Sequence, residues 1–130
     1  MASEPASPPL RVLLVDDEPL LIAALGRLLE LSGIQVFRAT NGEEALGVLE
    51  HEAVHLVLSD VRMPVLDGPG LLRALGPSPP APPLVFLTGY GDHGDDELIA
   101  LGARAVLGKP VSGRRLLDAV NTWAVPPKAA

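Results

Sequence analysis

Five polar residues stand at the ends of short aliphatic runs: Asp16 and Asp17 after Val12 to Val15, Asp60 after His55 to Ser59, Thr88 after Leu84 to Leu87, and Lys109 after Ala105 to Gly108. If neighbouring strands bring the three aspartates together, their charges repel and they take up protons unless a cation neutralises them. A hard divalent cation suits such a pocket. Mg2+ takes oxygen ligands, keeps several waters, and commonly combines one or two carboxylates with phosphate oxygens. Lys109 and Thr88 then offer an ammonium and a hydroxyl to a phosphoryl oxygen that the metal leaves uncovered. A carboxylate placed in line with a phosphoryl donor can itself attack, forming an acyl phosphate with no separate general base. Asp60 is the candidate nucleophile, because it stands singly while Asp16 and Asp17 can hold the metal.

Whether these groups meet depends on the elements that carry them. The runs Val12 to Val15, Gln35 to Ala39, His55 to Ser59, Leu84 to Leu87 and Ala105 to Gly108 are each of strand length. Most are apolar on both faces, as in parallel strands covered by helices on either side, whereas Gln35 to Ala39 alternates and so reads as an edge. Helix signals fill the gaps. Pro19 can open the first helix, with Leu21, Ala24, Leu25 and Leu28 as its apolar stripe and Gly33 as its left-handed stop. Thr40-Asn41-Gly42-Glu43 has capping-box spacing ahead of a second helix. Gly68 to Leu75, Asp92 to Leu101 and Ser112 to Trp123 complete five strand-helix units. Right-handed crossovers turn that sequence into a doubly wound α/β sheet, most simply of order 2-1-3-4-5, although periodicity alone also allows a Rossmann-like order. In either case ligands bind beyond the carboxyl ends of the strands, where all five polar residues lie.

The chain has 130 residues, the size of one domain, and 48% of them are hydrophobic, enough for a single core. Its net charge of −6 gives no electrostatic footprint for nucleic-acid phosphates, so direct DNA or RNA binding is not expected. With no cysteine, disulfides, thiolate metal sites and cysteine nucleophiles are excluded, and the composition fits a reducing cytoplasm. The first ten residues lack a signal-peptide pattern, and no apolar run approaches the roughly 18 residues of a membrane span. Prolines gather in the leader through Pro9, in Gly76 to Pro83, and at Pro126-Pro127, barring these stretches from helix and sheet interiors. The expected organisation is a disordered leader over 1–9, one domain over 10–124, and a short tail over 125–130, too short to be an effector.

The series LLVDDEP, VLSDVRMPVLDG, LVFLTGYG and GARAVLGKP, in this order and at these strand ends, resembles the receiver domains of bacterial two-component response regulators over roughly Leu10 to Trp123. The resemblance implies the flavodoxin-like fold, with five helices around a five-stranded parallel sheet. It implies that Asp60 accepts a phosphoryl group from a sensor histidine kinase or a histidine phosphotransfer protein, and that Asp16 and Asp17 hold Mg2+ together with Asp60. It also implies that the backbone carbonyl of Arg62 contributes to the metal, that Thr88 and Lys109 are the switch hydroxyl and the phosphate-binding lysine, and that the bond before Pro110 is cis. Self-phosphorylation and autodephosphorylation at Asp60 would then need Mg2+ but turn over no outside substrate, and output would pass to another, unknown protein through altered contacts.

Departures from the pattern bear on that output. The switch position, usually Tyr or Phe, is Val106, a stiff residue with no ring to swing. The phenylalanine that often follows Lys-Pro is Val111, and the acidic pair preceding strand five in many dimeric DNA-binding members is Ala103-Arg104. These changes leave room for a degenerate receiver that serves as an unphosphorylated interaction module. A phosphatase of the haloacid dehalogenase type would need a second acid where this chain has Arg62. Gly89 to Gly94 matches G-x-G-x-x-G, but it follows the fourth strand and no acidic residue ends the next one, so a dinucleotide site is not expected. His51, His55 and His93 lack metal-ligand spacing. The consecutive apolar residues Leu20 to Leu25 cannot all face the sheet, so some should be exposed near Asp60 as a partner surface.

Overall fold

Strands and helices alternate through the chain: β1 (Arg11–Val15), α1 (Pro19–Leu31), β2 (Gln35–Ala39), α2 (Gly42–His51), β3 (Leu56–Asp60), α3 (Gly68–Leu75), β4 (Leu84–Thr88), α4 (Asp95–Ala100), β5 (Ala105–Gly108) and α5 (Gly113–Trp123). The computed structural model describes residues 8–89 and 94–124. All strand pairs are parallel, in the order β2-β1-β3-β4-β5. This is the flavodoxin-like order and not the Rossmann-like one. The connections from β1 and β3 diverge to opposite faces, opening a crevice at their carboxyl ends.

The central strands are mostly apolar, with polar residues confined to their ends, because both of their faces are covered. Alternate residues of one strand enter different cores, as the two-residue period requires. Val12, Leu14, Leu58 and Leu87 pack with Ile22, Leu25 and Leu29 of α1 and Leu116 and Val120 of α5. Leu13, Val15, Val57 and Phe86 pack on the other face with Ala45 of α2, Leu71 and Leu72 of α3, and Leu98 of α4. Each such leucine contributes about 1.5–3 kcal/mol by leaving water. The strand ends, and the carboxylates on them, are thereby held in a rigid sheet.

Several local expectations shift. The buried stripe of α1 is Ile22, Leu25, Gly26 and Leu29, and Ala24 is exposed. A run that is apolar all round carries no phase, so tertiary packing selects the face. Exposure within the run is as expected: Leu20 is 86% exposed. At α2 the cap lies one residue later than the expected Thr40–Glu43 spacing. Asn41 Oδ1 accepts from the Glu44 N–H at 2.8 Å, while Glu44 Oε1 accepts from the Thr40 N–H at 2.8 Å. Helix α4 spans Asp95–Ala100, the expected start at Asp92 lying outside the described residues, and Ser112 is the N-cap of α5, accepting from the Arg115 N–H at 3.1 Å. The leader through Ser7, the tail from Val125, and Tyr90 to His93 of the glycine-rich connection lie outside the described residues.

Candidate functional site

Register brings the carboxylates together. Val15 of β1 pairs with Ser59 of β3, so the next residues, Asp16 and Asp60, emerge side by side. One carboxylate oxygen from each of Asp16, Asp17 and Asp60 lies within 4.8 Å of the others. Asp16 and Asp60 are buried and Asp17 is exposed, so the cluster opens to solvent on one side. The backbone orients both buried groups. The Val61 N–H donates to Asp60 Oδ1 at 2.8 Å, and the Glu18 N–H donates to Asp16 Oδ1 at 2.9 Å.

Lys109 spans the remaining oxygens. The chain leaves β5 with the Lys109 N–H donating to the Thr88 carbonyl at 2.7 Å, which aims the side chain toward the crevice. Its Nζ lies 2.9 Å from Asp16 Oδ2, 3.2 Å from Asp60 Oδ2 and 3.6 Å from Glu18 Oε1. The Lys109–Pro110 bond is cis, as the resemblance implied. Burial raises the pKa of Asp60 and the charge of Asp16 raises it further, while Lys109 and the Val61 N–H only partly oppose them. For Lys109, burial works against the charge, but the hydrogen bond to Asp16 and the charges of Asp16 and Asp60 outweigh it and raise the pKa. The cluster is therefore short of positive charge: one ammonium faces several carboxylates, and Asp60 still resists ionisation. Three hard oxygen donors converging on one point fit Mg2+.

Thr88 is buried at the end of β4, with Oγ1 donating to the Gly89 carbonyl at 3.2 Å. Arg62, two residues beyond Asp60, is exposed. Val106 is paired with Phe86 in the β4–β5 register and packs, half-buried, against the core cluster that contains Phe86 and Leu98. Thus the sheet brings together Asp16, Asp17, Asp60 and Lys109, and sets Val106 into the flank.

Three features of the site are additional to the sequence reading. Glu18 approaches Lys109, which the acidic run Asp16-Asp17-Glu18 could have signalled. Gly68 sits so close to the end of β3 that a Cβ would fall 2.4 Å from the Asp60 carbonyl oxygen and 2.6 Å from Phe86 Cε1. Val65 has φ 71°, and the Leu66 N–H donates to the Pro64 carbonyl at 2.8 Å, making a tight turn centred on a β-branched residue. Nothing in a valine signals that conformation. Among the histidines, His55 is structural: its Nδ1 accepts from the Arg11 N–H at 2.9 Å.

A fold and site of this kind define a receiver, and comparison with known proteins agrees. The family model for the response regulator receiver domain matches residues 12–121. The chain belongs to that family. It is 38% identical over 114 residues to the transcriptional regulatory protein GlrR of Escherichia coli, covering 87% of this chain and 26% of GlrR. It is 41% identical over 117 residues to the response regulator protein FleR of Pseudomonas aeruginosa, covering 88% of this chain and 24% of FleR. The chain thus spans about a quarter of the length of these curated relatives. Among solved structures, the response regulator receiver domain protein from Clostridium thermocellum superposes with a TM-score of 0.80 at 31% identity, covering 87% of this chain and 92% of that one. Among the described residues no helix is long and apolar enough to cross a membrane.

Proposed function

We propose that this chain accepts a phosphoryl group on Asp60 from the phosphohistidine of a sensor histidine kinase or of a histidine phosphotransfer protein, and signals through altered protein contacts. The observation that carries this reading is the convergence of Asp16, Asp17 and Asp60 beneath Lys109 in a chain of the receiver family. Asp16, Asp17 and Asp60, with the backbone carbonyl of Arg62, would hold Mg2+, which when bound supplies the positive charge the cluster lacks and neutralises phosphoryl oxygens. The Val61 N–H fixes Oδ1 of Asp60 and leaves Oδ2 to attack phosphorus. A P–O bond forms, the P–N bond to the histidine breaks, and its electron pair stays on the imidazole nitrogen. Lys109 then exchanges part of its pairing with Asp60 for a phosphoryl oxygen, and the Thr88 hydroxyl exchanges the Gly89 carbonyl for another. Water later hydrolyses the acyl phosphate, so no outside substrate is turned over.

The setting is cytoplasmic, and the target is another protein or another domain. The names of the relatives describe transcriptional regulation by much longer proteins, so any contact with nucleic acid belongs to other domains. A second reading, an unphosphorylated interaction module, is favoured by one observation: Val106 is packed and has no ring to exchange with Thr88. Intact-mass measurement distinguishes the two. After incubation with Mg2+ and a small acyl-phosphate donor, the parent gains one phosphoryl group, and Asp60→Ala, or the parent in chelator, gains none. An unmodified parent would favour the interaction module.

A further inference from the structure

At the pole of the sheet opposite the carboxylates, a cleft of about 450 Å³ lies between the end of α3 and the α4–β5 connection. Leu72, Leu84, Pro82 and Leu101 give it apolar surface, while Arg73 enters from α3 and Arg104 from the residues before β5. Both arginines are exposed. The Arg104 guanidinium donates to the Ser78 carbonyl at 3.2 Å. Among the described residues Arg73 makes no hydrogen bond, and neither arginine meets a carboxylate. No acidic side chain lines the cleft, although the chain as a whole has a net charge of −6.

Helix ends answer part of this charge. Both α3 and α4 finish at the cleft, and the carbonyl end of a helix carries at most about half a negative charge. Two guanidiniums against two such ends leave about one unit of positive charge uncompensated. Gly76 and Gly102 follow those helices with φ 78° and 119°, and nothing lies within 4 Å of either Cβ position, so the backbone there is open to close approach. The planar fork of a guanidinium matches a carboxylate. Leu101, 38% exposed, adds a demand for an apolar neighbour. Ser78, Pro82 and Arg104 also line a larger concavity of about 940 Å³ whose walls include Leu49 and Leu75. A polypeptide that places an acid at the arginines can run on over that apolar surface, which a free organic acid cannot use. We propose that this cleft is the docking site for a partner segment in which glutamate or aspartate stands beside apolar residues, its carboxylates engaging Arg73 and Arg104.

Titrating the whole chain with the peptide acetyl-Leu-Glu-Glu-Leu-amide, followed by the arginine Nε–Hε resonances, tests the proposal. The signals of Arg73 and Arg104 shift together and saturate, and the glutamine peptide acetyl-Leu-Gln-Gln-Leu-amide moves neither. Arg73→Ser and Arg104→Ser each weaken peptide binding by about tenfold, as the loss of one charge-assisted hydrogen bond does. Arg27→Ser removes the same charge from an exposed position on α1 and leaves binding unchanged. The proposal is overturned if the two signals do not move, if the glutamine peptide binds as well, or if Arg27→Ser weakens binding as much as Arg73→Ser. It is equally overturned if glutarate binds as tightly as the peptide, since the occupant would then be a small organic acid. Shifts of the same two signals on raising the protein concentration without peptide would overturn it too, by making a second copy the occupant. Far-ultraviolet circular dichroism matching the parent confirms that each variant compared is folded.

Discussion

Without a cation, the charge on Asp60 opposes folding. Burial and the neighbouring Asp16 raise its pKa above the usual 3.8 despite Lys109. A carboxyl whose folded pKa exceeds its unfolded value stabilises the fold below the unfolded pKa and loses that contribution as pH rises through the folded pKa. In chelator, therefore, acidification into the carboxylate range strengthens the contribution of Asp60, and Asp60→Asn raises the unfolding temperature at neutral pH. Calorimetry of the metal-free proteins checks this; a lower midpoint for Asp60→Asn would contradict it. Lys109, with its pKa raised by Asp16 and Asp60 against the effect of burial, keeps its stabilising contribution throughout the neutral range and loses it only above its usual 10.5. Val65 makes a different residue-scale prediction. A β-branched residue at φ 71° is strained, and its side chain is 74% exposed, so removing it leaves no cavity. Val65→Gly should stabilise by about 1 kcal/mol, the release of about 1–3 kcal/mol of strain less the unfolded-state entropy that a glycine adds. Urea denaturation measures it, and a loss of stability would show that the turn is not strained.

Two glycines separate the demands on elements. Gly68 opens α3 where a Cβ would strike the Asp60 carbonyl and the Phe86 ring, both fixed by the buried sheet. Gly68→Ala should cost about 2 kcal/mol and slow phosphoryl uptake by shifting the end of β3. Gly47 is exposed within α2 with nothing within 4 Å of its Cβ position, and Gly47→Ala should gain about 0.5–1 kcal/mol and leave uptake unchanged. Paired denaturation and phosphorylation time courses test both, and similar effects at the two positions would refute the assigned contact. The same contrast explains what the sequence disclosed. Val12 to Val15 and Leu84 to Leu87 announce buried parallel strands because both faces need apolar side chains. Leu20 to Leu25 announces a helix but not its exact rotation: Leu21, Leu25 and Leu28 of the expected stripe pack on the core, while Ala24 faces solvent and Ile22 is buried. Gly68 showed its place at a helix start, but its approach to Asp60 is a property of the assembled sheet.

For the whole molecule, order and spacing were legible because topology does the assembling. Residues 16, 60, 88 and 109 are far apart in the chain, yet each follows a strand, and parallel pairing carries every strand end to one pole. Lys109 across Asp16 and Asp60, and the exposure of Asp17, emerge only from side-chain placement. The cleft at the opposite pole had no sequence signature beyond its prolines, since its walls come from α3 and from the α3–β4 and α4–β5 connections. The account turns on whether the acidic pole holds one cation. Calorimetric titration of Mg2+ into the parent and Asp17→Asn tests that most directly, because Asp17 is exposed and its replacement should spare the fold. The account predicts one ion per chain in the parent and binding weaker by about tenfold or more in Asp17→Asn, since loss of outer partners alone costs that much. Equal binding by both proteins, or none by the parent, would contradict it.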